Sequence, residues 1–70
     1  MSEPVRDTLE ELVWLIADTG EVHDWLGGYK IKIFHTRSFP WDDVFKVLLY
    51  GNFKVYVTRH KADLFIEAVP

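Results

Sequence analysis

The sequence predicts a small single-domain α+β fold, in the order α-β-α-β-β, with helices packed on one face of a small, at least partly antiparallel sheet. Three patterns predict it. Apolar residues recur at helical spacing between Val5 and Asp18, they alternate with polar ones after Gly28 and again after Asn52, and glycines separate these stretches. At 70 residues, 49% of them hydrophobic, with three Trp, three Tyr and five Phe, the chain has bulk for one core and no room for a second domain.

The first helix is read from Val5, Leu9, Leu12, Val13 and Ile16, which share a stripe on one helical face. Ser2 ahead of Pro4 is a natural cap, Thr8 and Glu11 have capping-box spacing for a later start, and Gly20 is a natural stop. The acids Glu3, Asp7, Glu10 and Glu11 crowd the first turns. The helix dipole favours them there, so a solvated, dipole-compensating face explains them without a partner. Trp14 projects away from the stripe. It is either wrapped by the following loop or left as an aromatic anchor for a partner.

The segment from Thr19 to Gly28 reads as a connector, with Val22, Trp25 and Leu26 in a short helical turn and Gly27 and Gly28 releasing the chain into a strand. Tyr29, Ile31 and Ile33 then alternate with Lys30 and Lys32, which marks a half-buried strand ending near His35. A second helix follows, with Ser38 as its cap, Asp42 and Asp43 in its first turn, Trp41, Val44, Phe45 and Leu48 on one face, and Gly51 at its end. Val44 to Tyr50 is also rich in strand formers, and Gly51 with Asn52 resembles a hairpin turn. The alternative fold is therefore one helix plus a four-stranded antiparallel meander. Phe53 to Thr58 and Leu64 to Ala68, joined by polar residues, form a closing hairpin in either case.

Several function classes fall away on composition. The chain has no cysteine, which removes disulfide frameworks and thiolate sites. Its first residues lack the basic start and apolar run of a secretory signal, and the longest apolar stretch, Val13 to Ala17, is far short of a membrane span. A soluble cytoplasmic protein without a cofactor is the expectation.

Charge is split by position. Residues 1–28 hold seven acids and a single Arg, Arg6, whereas Tyr29 to Pro70 hold seven Lys/Arg and four acids. Such a division gives the surface two signs, each of which concentrates partners of the other.

Sorting the strands by parity puts Tyr29, Ile31, Ile33, Phe53, Val55, Val57, Leu64, Ile66 and Ala68 on a core face. The opposite face receives Lys30, Lys32, Phe34, Lys54, Tyr56, Thr58, Phe65, Glu67 and Val69. Interleaved lysines and aromatics suit a single-stranded nucleic acid, with cations for phosphates and rings for bases. An ordinary solvated sheet explains them too, with lysine stems covering apolar surface. The net charge of -3 argues against a ligand held by phosphate neutralisation.

His23, His35 and His60 invite a metal or acid–base reading, but none sits at recognised ligand spacing. His60 with Asp63, or His23 with Asp24, is the pairing a tiny nuclease would use, although a chain this small rarely walls off a deep pocket. The first expectation is a non-enzymatic protein-binding or regulatory module with no metal or catalytic site. Its candidate contacts are Glu10, Glu11 and Trp14 on the helix, which suit a basic partner, and Lys30, Lys32, Phe34, Lys54, Tyr56 and Arg59 on the sheet. A homodimer through exposed aromatics fits the same composition. A single-stranded nucleic-acid binder ranks second and a small enzyme third.

Overall fold

The computed structural model describes residues 4–70, so the expected cap at Ser2 and the acid at Glu3 lie outside the described residues. Helix α1 runs Pro4–Glu10 and continues directly into a π-helical segment, Glu11–Ile16. Leu9 and Val13, four residues apart, are fully buried. Ile16 was expected on the same stripe but is 71% exposed. The wider π turn closes on the fifth residue rather than the fourth, so each residue advances by a smaller angle and the last ones rotate off the core.

The segment expected to be a connector is a strand. Strand β1, Gly20–Trp25, pairs antiparallel with β2, Gly28–Ile33, through a turn made by Leu26 and Gly27. Both turn residues have positive φ, 47° and 80°, as a type I′ hairpin turn requires. Gly28 is needed for a different reason: a Cβ at that position would collide with the Ala68 carbonyl.

Helix α2, Trp41–Tyr50, follows, and then strands β3, Lys54–His60, and β4, Asp63–Val69. The order is thus α-β-β-α-β-β, and the four strands form one antiparallel sheet arranged β1-β2-β4-β3. This keeps the predicted class and both helices, adds a strand, and is not a meander, because β4 lies between β2 and β3. Ser38 does not cap α2. Pro40 precedes the helix instead, its carbonyl accepting from the Val44 amide at 3.0 Å. At the other end the Gly51 amide donates to the Val47 carbonyl at 3.1 Å, and Asn52, at φ 61°, turns the chain away.

The helices cover one face of the sheet, α1 and the π segment over β1 and α2 over β3. The core between the layers is Leu9, Val13, Tyr29, Ile31, Ile33, Phe39, Val44, Leu48, Ile66 and Ala68. Val57, expected in it, is 52% exposed. Ten residues of α2 span about 15 Å, whereas seven of β3 span about 23 Å. Burial therefore fades along the strand, from half-buried Val55 to exposed Val57 and Arg59. Thr19, the one buried polar residue among the described residues, ties the layers together, its amide and hydroxyl both donating to the Val13 carbonyl, at 2.7 and 3.1 Å.

Candidate functional site

Two surfaces gather the residues singled out in the sequence. One is a groove of about 260 Å³ along the outer edge of β1, lined by Glu10, Trp14, Glu21, Val22 and His23. Strand parity explains its composition. Val22 faces the helix layer, Glu21 and His23 face the other side, and a groove touching all three wraps the free edge of the strand. Trp14 is 49% exposed, the half-covered state expected of an indole lying over a strand edge.

The charge around this groove is mostly acidic. Arg6 donates to Glu10 at 2.9 Å and to Asp24 at 2.6 Å, bridging α1 to β1. Hydrogen bonds to Glu10 and then Asp24 raise the guanidinium's already high pKa, so it stays charged. One cation thus stands among three carboxylates, since Glu21 lies in the same groove and accepts from His23 Nε2 at 3.1 Å. Glu11 is exposed but does not line the groove.

The second surface is the sheet face turned away from the helices. Lys30, Lys32, Lys54 and Tyr56 lie on it as expected, joined by Trp25 and His23 from the unforeseen strand β1. Lys30 Nζ sits 4.4 Å from the Trp25 ring centroid and 4.8 Å from that of Phe65, and 3.6 Å from the Glu67 carboxylate. Lys32 reaches Asp63 at 3.8 Å and lies 6.0 Å from the Phe34 ring. Both central lysines are therefore matched by acids on the same face. Arg59 joins the set from the sheet's edge: by register it shares the row of Val55 and Val57, its Nε donates to the Lys61 carbonyl at 3.1 Å, and it borders a depression together with Lys30, Phe65 and Glu67.

Known proteins add nothing to this geometry. No protein-family model, curated protein or solved structure matches the chain.

His23 and His60 stand on β1 and β3 and His35 lies in the loop after β2, and all three are exposed. His60 borders a shallow depression of about 280 Å³ with Lys30, Thr58, Arg59, Phe65 and Glu67. Asp63, its cross-strand neighbour, is directed to Lys32. Among the described residues no group of three or more His, Asp or Glu side chains could hold a metal ion, and no helix is long and apolar enough to cross a membrane.

The signal for the groove was present in the sequence only in part. Trp14 stands out as an off-stripe helix residue and Glu10 as one of the crowded acids, but their partners Glu21, Val22 and His23 lie in the segment expected to be a connector.

Proposed function

We propose that this chain is a small non-enzymatic protein-binding module that takes a basic, extended segment along the free edge of β1. The observation that carries the reading is the groove itself: a half-exposed indole and an excess of carboxylates beside an unpaired strand edge. Main-chain bonds to such an edge supply affinity for any extended peptide, and the side chains around it supply the choice. Here the choice falls on cations and apolar groups. Shallow depressions and dispersed histidines support a non-catalytic role, since general acid–base chemistry needs groups converging on one enclosed point.

The second reading, a single-stranded nucleic-acid platform, draws support from Lys30 held between Trp25 and Phe65. It ranks lower because Lys30 and Lys32 already face Glu67 and Asp63. A phosphate arriving there would have to displace a carboxylate.

Titration with a synthetic peptide of alternating Lys and Val, followed by NMR, separates the two readings. Shifts of the Trp14 indole N–H and of the Val22 and Asp24 amides are expected, and they should vanish in Glu21→Lys. Shifts confined to the open sheet face, or none at millimolar peptide, would remove the groove as the binding site.

A further inference from the structure

The segment that best fits the β1 groove belongs to the chain itself. We propose that β3 of a second copy docks on β1, so that copies add head to tail into one continuous antiparallel sheet. The inference rests on reading the groove as a site for a basic extended segment, and it names that segment.

Among the described residues, both outer strands of the sheet, β1 and β3, have an unpaired edge. The turn of Lys61 and Ala62 makes His60 and Asp63 a hydrogen-bonded pair, and alternation then turns the N–H and C=O groups of Val55, Val57 and Arg59 outward. The Leu26 and Gly27 turn does the same for β1, whose outward residues are Val22 and Asp24. All five sit on the helix side by strand parity. Joining the two edges therefore keeps the helices on one side of the extended sheet. Strand directions agree as well: in the order β1-β2-β4-β3 every neighbour is antiparallel, so β3 meets the next β1 antiparallel without any copy being inverted.

Charge selects this pairing over the symmetric ones. Residues 54–61 carry Lys54, Arg59 and Lys61 and no acid. The edge of β1 carries Glu21 and Asp24, with Glu10 above it. Two β3 strands paired about Val57 would set Lys54 against His60 of the other copy and gather the cations of both chains. Two β1 strands would gather their acids. Like charges placed directly opposite are destabilising, whereas opposite charges are favourable.

With Asp24 opposite Val57 of the neighbouring copy, Val22 meets its Arg59, Glu21 its His60 and Trp25 its Tyr56. Asp24 then lies diagonal to Arg59, and two aromatics face each other across the junction. Val57 and Tyr56, each 52% exposed on opposite faces of β3, are both covered by this arrangement. Layer widths match too. Four strands occupy about 19 Å and two helices side by side about 20 Å, so the helical layer repeats with the sheet. Because the joined edges are different surfaces of the molecule, the contact is heterologous and does not stop at two copies.

A complementation experiment tests it. One variant, Val57→Pro, removes an outward N–H while leaving the ladder to β4 intact, and Arg59→Glu with Lys54→Glu serves as a second β3 variant that keeps every backbone donor. The groove variant is Trp14→Ala with Glu21→Lys, and circular dichroism checks that each is folded. By sedimentation equilibrium the wild-type average mass should rise with concentration past the dimer. Each variant alone should stay monomeric to at least tenfold higher concentration, and an equimolar mixture of the Val57→Pro variant with the groove variant should form a dimer and go no further. A wild type that saturates as a dimer, variants that assemble alone, or a mixture that stays monomeric would each overturn the inference. A monomeric wild type whose Trp14 still shifts with the Lys/Val peptide would overturn the self-pairing and leave the groove reading standing. Loss of the peptide response as well would take both.

Discussion

Thr19 concentrates four backbone connections at one buried position. Its amide and hydroxyl reach the Val13 carbonyl, and its own carbonyl accepts from the Phe34 amide at 2.8 Å and the His35 amide at 3.3 Å. The helical layer is thus fastened to the start of β1 and the end of β2. Thr19→Val keeps the shape and the amide bond but loses the hydroxyl bond, so a cost of about 1 kcal/mol is expected in urea unfolding. Gly28→Ala should cost more, above about 2 kcal/mol, because its Cβ would have to displace the backbone at Ala68 rather than a flexible side chain. A Gly28→Ala protein as stable as the parent would mean that the hairpin can shift away from β4. At this scale the sequence was readable where a residue's neighbours are local and unreadable where they are not. Ile31, Leu48 and Ile66 announced their burial by periodicity. Val57 carries the same signal as Val55, and only the reach of α2 separates them.

At the scale of elements, the two features the sequence concealed both depend on conformations that composition disguises. β1 holds one apolar residue on its helix side, Val22, because an edge strand half covered by α1 can seat Asp24 against Arg6 instead of a hydrophobe. Its turn places Leu26 at positive φ, where Asn, Asp or Gly is the usual sign. The π-helical segment likewise has no composition of its own, and only the outward swing of Ile16, 71% exposed although it continues the apolar stripe, betrays it. Ile16→Gln is accordingly expected to change stability by less than about 0.5 kcal/mol, while Val13→Ala should cost on the order of 2 kcal/mol. An equal loss in both would restore a regular α-helical stripe. Hydrogen exchange gives a second check. In dilute solution the Val22, Asp24, Val55 and Val57 amides should exchange much faster than those of Glu21, His23, Tyr56 and Thr58, since the two sets alternate between the open edge and the ladder. Uniform protection along β1 or β3 in the monomer would contradict that alternation.

For the molecule as a whole, the charge division by sequence position becomes a division across the sheet: acids gather around α1 and β1, fixed cations along the far edge at β3. The open face between these edges is nearly balanced, with Lys30 and Lys32 facing Glu67 and Asp63. Nucleic-acid affinity draws mainly on cations that are free to replace counterions. The face therefore has the rings of a nucleic-acid platform, while its two central lysines are already matched by acids. Removing the two acids should reveal this. The Glu67→Gln, Asp63→Asn double variant is expected to bind a short labelled single-stranded oligonucleotide at least about tenfold more tightly than the parent at low salt, with affinity falling steeply as salt is added. Fluorescence anisotropy measures both quantities. A parent that already binds as tightly as the double variant would show that these ion pairs do not restrain the lysines, and would move the nucleic-acid reading ahead of the protein-binding one.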